Sequence, residues 1–147
     1  MISMENTSLI DSMHASDIAR QASFESQIKQ TVTCYFQTLN NAEFQATADL
    51  FTADGVLHPP LEKAITGREA IVAYLEKEAK GMQLLPERQS IIELETGEVE
   101  YIVTGKVQTP FFSVNVAWQF ILNTEAEILF AKVKLLAALE ELLNFKL

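Results

Sequence analysis

The chain has 147 residues, 48% of them hydrophobic and nine of them phenylalanine, so it can bury the core of one domain and is not disordered as a whole. Eleven basic and twenty acidic residues give a net charge of −9, which argues against binding to the phosphate backbone of nucleic acids. One cysteine excludes an internal disulfide, and without a membrane-length apolar run or a signal peptide the sequence predicts a cytoplasmic protein.

The N-terminal third of the chain predicts a polar start followed by two helices. Residues 1–18 are rich in serine and aspartate, and we expect them to be flexible or to lie over the domain as a short helix. This leaves 19–147 as the folded domain. Apolar residues at helical spacing predict an amphipathic helix over about 24–40, and a second helix should cover 43–51.

The next segment predicts a turn, a short strand and a third helix. Asp54 and Gly55 are typical of a turn, and the apolar stretch after them ends at two prolines, which predicts an edge strand. Thr66 stands three residues before Glu69, the spacing of a capping box. We therefore expect the third helix to begin at Thr66 and to extend to about Met82.

From Gln89 onward, apolar and polar residues alternate, which predicts strands joined by hairpins. The strands are expected near 89–95, 98–109, 113–123 and 126–136, and a short helix near 137–145. Helices followed by hairpin-connected strands indicate an α+β fold. In this fold a curved antiparallel sheet wraps around the N-terminal helices and forms a cone, and the bend of one strand falls at Gly105. The open mouth of the cone could hold an apolar ligand.

The only tryptophan lies on the sheet face that is predicted to point inward. The residues expected on that face are Val99, Tyr101, Val103, Val107, Val114, Val116, Trp118, Phe120, Leu122, Leu129, Val133 and Leu135. Trp118 carries an indole N–H donor, and Tyr35 carries a hydroxyl on the inward stripe of the first helix. Both groups need a hydrogen-bond partner when buried, and either the backbone or a shared ligand could supply it.

Five motifs occur in order along the chain, and together they point to one family. They are YFQTLNNAEF (35–44), LFTADGVLHPP (50–60), LLPER (84–88), VTGKVQTPFF (103–112) and NVAWQF (115–120). In sequence and separation they resemble the C-terminal domain homologues of the orange carotenoid protein of cyanobacteria. The resemblance implies a nuclear transport factor 2-like fold.

The resemblance also implies a ligand and a site. The ligand would be a ketocarotenoid such as canthaxanthin or echinenone, with its keto oxygen bonded to the donors of Tyr35 and Trp118. Seven further positions match the family's pocket and are equally compatible with an ordinary core: Leu39, Leu84, Thr109, Phe112, Phe120, Val133 and Leu135. Glu78 matches a glutamate that in the full-length protein pairs with an arginine of another domain, and it is equally compatible with a solvated helix carboxylate.

A function without catalysis follows from the resemblance. The protein would store and transfer carotenoid and contribute to photoprotection by quenching singlet oxygen. Its partners would be helical carotenoid proteins or membranes that exchange pigment with it. A pigment longer than the cone can bury further predicts a homodimer when pigment is bound.

Two other functions are compatible with the same fold. Isomerases and dehydratases place acids, histidine or tyrosine in such a cavity. We expect no acid or histidine on the cavity face, because His14 lies in the polar start, His58 precedes two prolines and Asp54 lies in a turn. A dimerisation module with a filled core is the third possibility. The sequence shows no metal-ligand spacing or nucleotide-binding motif, and Cys34 is expected to be a half-buried packing residue.

Overall fold

The computed structural model of the protein describes residues 2–136, with side chains from Ala15 onward. Its elements are α1 (Ile2–Asn40), α2 (Phe44–Asp49), β1 (Phe51–His58), β2 (Ile65–Thr66), α3 (Arg68–Glu78), β3 (Gln83–Glu93), β4 (Val99–Gln108), β5 (Ser113–Leu122) and β6 (Ile128–Leu135). The helices pack on one face of a curved six-stranded sheet, as an α+β fold requires. The helix expected near 137–145 lies outside the described residues.

α1 is longer than its apolar spacing indicated. It begins at Ile2 rather than near Phe24, because no glycine or proline interrupts the sequence before Asn40 and polar residues can continue a helix. The side chains of residues 15–23 are exposed, and packing on the sheet starts at Phe24. No helix boundary marks the proposed end of a flexible segment at residue 18, so that division stays a prediction. Within 2–136, no helix is both long and apolar enough to cross a membrane.

The strands are ordered β2-β1-β6-β5-β4-β3. All neighbours are antiparallel, as predicted for the sheet, except β1 and β6, which are parallel. β1 also lies inside the sheet and not at its edge. Asp54 and Gly55 form no turn between elements, because β1 continues through them with a shift of register against β6.

Three element boundaries differ from their predictions for local reasons. α2 ends before Phe51, which enters β1. Thr66 does not cap α3: it lies in β2, and Gly67 precedes the helix with a φ of 94° and without a side-chain cap bond. β3 begins at Gln83 rather than near residue 89. It contains Pro86, which is tolerated because β3 is an edge strand.

Gly105 permits a close approach between β4 and β3. It pairs with Pro86, and the register of β3 shifts directly after that proline. A Cβ atom at position 105 would lie 2.2 Å from the carbonyl oxygen of Leu85, a distance that no side chain can occupy. The predicted bend at this glycine therefore corresponds to a bulge in the partner strand.

The inward face of the sheet is as predicted except in β6. Leu129 is only half-buried, whereas its neighbour Ile128 is fully buried. The cause is a register shift: Leu122 pairs with Ile128, but Phe120 pairs with Ala131. The extra residue reverses the alternation at the start of β6, and sequence alternation alone cannot reveal such a bulge.

Candidate functional site

A cavity of about 300 Å³ opens between the helices and the inner face of the sheet. This volume is at the lower end of the range for small-molecule sites, about 300–1,000 Å³. Its walls are apolar apart from five side chains, namely Tyr35, Tyr74, Glu78, Thr109 and Trp118. α1 and α3 supply one wall, and β4, β5 and β6 supply the other.

The structure brings together eight of the nine residues that the sequence analysis assigned to the pocket. They are Tyr35, Leu39, Leu84, Thr109, Phe112, Trp118, Val133 and Leu135. Phe120 does not line the cavity, and its assignment as a lining residue was wrong. It is fully buried behind Tyr35, with the two ring centroids 4.9 Å apart, so it supports the wall from the core.

Aromatic rings hold Tyr35 in a fixed position on α1. Its ring meets those of Phe36 and Phe120 edge to face, at centroid distances of 5.4 and 4.9 Å. Such edge-to-face pairs are favourable because the positive edge of one ring meets the negative face of the other. Burial raises the pKa of the Tyr35 hydroxyl well above its usual value, so this group is a protonated donor at neutral pH.

Trp118 faces Tyr35 from the sheet. It lies on β5, paired with Val103 on one side and Val133 on the other. Its ring also meets Phe36 edge to face, at 4.8 Å. Phe36 therefore contacts both polar aromatic residues and fixes the position of one relative to the other.

The two donors, the Tyr35 hydroxyl and the Trp118 indole N–H, have no hydrogen-bond partner among the residues that the structure describes. In the same part of the chain, no side-chain nitrogen or oxygen is both fully enclosed and without a partner. The two polar atoms must therefore face open space, although each residue is only 2% exposed. That space is the cavity, which leaves two donors available to an acceptor that a ligand would bring.

Thr109 contributes no free donor to the cavity. Its hydroxyl donates to the Phe112 carbonyl at 3.0 Å and accepts from the backbone N–H groups of Phe111 and Phe112. These bonds form the corner between β4 and β5. As a result the two phenylalanines stand at the cavity mouth, where Phe111 is 91% and Phe112 58% exposed.

Two further polar residues of the wall lie on α3: the sequence analysis did not name Tyr74, and it named Glu78 only as the match to a glutamate that pairs with another domain. Tyr74 is half-buried and Glu78 is exposed at the mouth, so the expectation that no acid would line the cavity was wrong. Tyr74 and Glu78 are four residues apart, so they lie on the same face of α3, next to the buried Leu75. This spacing was the signal in the sequence that could have identified them as a pair. Burial and the nearby Glu62 carboxylate raise the pKa of Tyr74.

The remaining candidates lie away from the cavity. A ring nitrogen of His58 is 3.0 Å from the carbonyl oxygen of Glu62, and His58 does not line the wall. Cys34 is half-buried and accepts a hydrogen bond from Gln30 at 3.5 Å. Within the described residues, no cluster of histidine, cysteine and carboxylate side chains could hold a metal ion.

Comparison with known proteins identifies the family. Residues 20–108 match the SnoaL-like domain. The chain belongs to this family. Nuclear transport factor 2 from Cryptosporidium parvum matches with a TM-score of 0.66 and 19% identity, covering 76% of this chain and 94% of that one. At this identity the match shows the fold alone, and it confirms the predicted nuclear transport factor 2-like architecture.

Two relatives are far more similar in sequence. The chain is 40% identical over 129 residues to the orange carotenoid-binding protein of Synechocystis sp. (strain ATCC 27184 / PCC 6803 / Kazusa), covering 85% of this chain and 41% of the relative. The structure of the orange carotenoid protein of Anabaena (Nostoc) sp. PCC 7120 binding canthaxanthin matches with a TM-score of 0.71 and 41% identity, covering 78% and 38%. The chain thus spans about two fifths of these relatives, and the predicted likeness to their C-terminal domain is confirmed.

Proposed function

We propose that the protein binds a ketocarotenoid, with one end ring in the cavity and its keto oxygen bonded to Tyr35 and Trp118. One observation carries the proposal: two donors from opposite walls face a largely apolar cavity, and neither has a partner among the described residues. The similarity to a protein named orange carotenoid-binding protein supports the same ligand class, as does a similar structure described as binding canthaxanthin.

The chemistry of the cavity suits such a ring. Its apolar walls would remove hydrocarbon from water, which is worth about 25 cal/mol per Å² of buried apolar surface. A keto oxygen has two lone pairs, so it can accept from a phenol and an indole N–H at once. Each of these hydrogen bonds would contribute about 0.5–1.5 kcal/mol net.

We further propose that the protein is a carrier in the cytoplasm that stores and hands over pigment and contributes to singlet-oxygen quenching. A folded domain of this length has a radius of gyration of about 15 Å, so a forty-carbon pigment would extend beyond the mouth. Two chains meeting mouth to mouth would cover a symmetric diketo pigment, with the exposed Phe111 and Phe112 at the contact. Helical carotenoid proteins or membranes would be the exchange partners.

A second candidate, a small isomerase or dehydratase, is favoured by Tyr74 and Glu78 on the wall. It has less support, because a tyrosine with a raised pKa stays protonated at neutral pH and cannot act as a base. Glu78 is exposed, so water would compete for its carboxylate. A pure dimerisation module has less support still, since it would leave an open cavity and two donors unexplained.

The test is pigment binding in a host that makes ketocarotenoids. The wild-type protein should be purified with pigment whose absorption is red-shifted, because hydrogen bonds polarise its carbonyl. Replacing both donors (Tyr35→Phe with Trp118→Phe) should weaken binding about 5- to 160-fold, as two hydrogen bonds are lost, or abolish the red shift. Tyr101→Phe is the matched control, since the Tyr101 hydroxyl bonds to Gln89 and the residue does not line the cavity.

Three readouts would contradict parts of the proposal. A colourless wild-type protein would overturn carotenoid binding, and an unchanged spectrum of the double variant would overturn the role of the two donors. Light scattering during size exclusion tests the assembly: a pigmented monomer with one carotenoid per chain would overturn the shared-ligand dimer. Turnover of a small cyclic ketone by the colourless protein would favour the enzyme.

A further inference from the structure

The start of β3 forms part of the cavity wall and has a strand neighbour on one side only. Leu84 lines the cavity, as does Met82 just before the strand. β3 is the last strand in the order of the sheet, so only β4 pairs with it, here through Leu84 and Val107. The register shifts directly after Pro86, which separates this start from the longer part of the strand. Its position therefore depends on contacts other than a continuous ladder.

Asn40 supplies such a contact from the end of α1. Its side-chain Nδ2 donates to the carbonyl oxygen of Leu84 at 2.9 Å, and its Oδ1 accepts from the backbone N–H of Leu84 at 2.7 Å. The amide thus bonds to both backbone groups of one residue, as a residue of a neighbouring strand does in an antiparallel hydrogen-bonded pair. The Gln83 side chain adds a longer bond, of 3.4 Å, to the backbone carbonyl oxygen of Asn40. Asn40 therefore takes the place of a strand neighbour at the free edge of β3.

The contact joins two walls of the cavity. Asn40 is the last residue of α1, and Tyr35 and Leu39, which precede it on the same helix, line the cavity. Leu39 and Leu84 are each 4% exposed, so a buried lining residue stands at either end of the contact. Asn40 itself is half-buried, and water has only partial access to replace its two bonds. Releasing the contact would free the edge of β3 from the helix that carries Tyr35.

We propose that Asn40 is a positioning residue of the ligand site, whose amide holds Leu84 against α1 and keeps this side of the cavity closed around an end ring. The inference rests on the proposed function for the identity of the ligand, whereas the closure is a property of the pigment-free protein. Losing one net hydrogen bond would shift the ratio of closed to open wall about 2- to 13-fold toward the open form. Pigment that binds only the closed form would be held less tightly in proportion to the closed fraction.

Quenching of Trp118 fluorescence by acrylamide tests the closure without pigment. Trp118 is the only tryptophan of the chain, lines the cavity and is 2% exposed, so its emission reports the entry of quencher. Asn40→Leu is similar in size and loses both bonds, so the quenching constant should rise above the wild-type value. Asn40→Asp keeps the acceptor but loses the donor, and its carboxylate repels the Leu84 carbonyl oxygen, so it should raise the constant too. The matched control is Asn41→Asp, because Asn41 is exposed and its side chain has no hydrogen-bond partner among the described residues.

Pigment retention connects the closure to the ligand. Each pigment-free protein is incubated with the same amount of canthaxanthin in detergent micelles, and the retained pigment is measured by absorption after gel filtration. Asn40→Asp should retain up to about 2- to 13-fold less pigment than Asn41→Asp, the factor that one net hydrogen bond produces. The two variants carry the same change of charge one residue apart, so a difference between them is due to the contact with Leu84. Equal retention by both would overturn the positioning role.

The outcomes separate this inference from the function on which it rests. A contact that only stabilises the fold would lower the free energy of unfolding in urea but leave Trp118 quenching of the folded variants at the wild-type value. That result, or an equal rise in Asn41→Asp, would overturn the role of Asn40 while carotenoid binding stands. Asn40→Asp decides the outcome should Asn40→Leu fail to fold. If quenching rises as expected but the wild type retains no pigment, the proposed function fails while the closure by Asn40 stands.

Discussion

Aromatic side chains occupy two regions of this molecule in opposite surroundings. At and behind the inner end of the cavity, Tyr35, Trp118 and Phe120 are at most 2% exposed, and each packs edge to face against another buried ring. At the mouth, Phe111 and Phe112 are 91% and 58% exposed. The inner aromatic residues are covered by the domain itself, whereas those at the mouth are not. The inner aromatic residues therefore contribute to the stability of the fold, and the two at the mouth remain exposed.

The difference follows from the backbone. Trp118 and Phe120 lie on β5, which is paired with a neighbouring strand on both sides, and Tyr35 packs against Phe120 from α1. The mouth residues lie in a tight corner whose backbone is fixed by Thr109, and no described element covers it. A single substitution at each place should measure how far the two roles are separate.

The largest expected effect is a contrast between Phe120→Ala and Phe111→Ala. Phe120 is fully buried, so its loss removes buried area and leaves a void, at a cost of about 3–5 kcal/mol in the free energy of unfolding. Phe111 is exposed, and the same change there should stay within about 0.5 kcal/mol. Urea denaturation of the pigment-free variants measures both. Equal losses would show that the mouth is part of the folded core.

A smaller effect should appear in alkaline solution. Burial raises the pKa of Tyr35 in the folded state, so above about pH 10 the unfolded chain loses a proton that the folded chain keeps. Below that pH, Tyr35 makes its full contribution to the free energy of unfolding. Above it, the free energy of unfolding should fall by about 1.4 kcal/mol per pH unit for each enclosed tyrosine.

Replacing each tyrosine in turn shows which one causes the loss of stability at alkaline pH. Tyr35→Phe should remove more of the alkaline slope than Tyr74→Phe, because Tyr74 is only partly buried and solvent screens its interactions. Urea denaturation between pH 9 and 11 measures the slope, and tyrosinate absorbance at 295 nm reports ionisation. Ionisation of Tyr35 before unfolding would contradict its enclosure.

The smallest expected effect is that of deleting residues 1–18. The side chains of residues 15–18 are exposed, Ile18 by 53%, so their removal should cost less than about 0.5 kcal/mol. For a domain of this size, that changes the thermal midpoint by about 1–2 °C. Calorimetry of the shortened and full chains decides. A fall of more than about 4 °C would show that this part of α1 packs on the domain.

Periodicity predicted much of the fold and part of the site. Alternation located β4 and β5, and with it the inward position of Trp118, because these strands pair without interruption over ten residues. It failed for Leu129, where one inserted residue reverses the pattern. It also failed for Phe120. The alternation of β5 places Phe120 on the same face as the cavity-lining Trp118, but its ring lies behind that of Tyr35.

Contacts between distant segments were the least predictable part. The pairing of β1 with β6 depends on the three-dimensional path of the chain, so the local turn signal at Asp54 and Gly55 was misleading. The spacing of Tyr74 and Glu78 places both on one face of α3, but which face of α3 lines the cavity depends on how the helix packs against the rest of the fold. Sequence reasoning placed the two donors but not these two residues of α3.

The parallel pairing of β1 with β6 has a consequence for synthesis on the ribosome. Ile128 follows its partner Phe51 by about 75 positions, and translation at about 5–20 residues per second therefore leaves β1 without this neighbour for about 4–15 seconds. During that interval the edge of β1 could pair with another nascent chain and aggregate. We therefore expect β6 to be the strand whose arrival releases the chain from chaperones, and a prematurely terminated product lacking β6 to be insoluble.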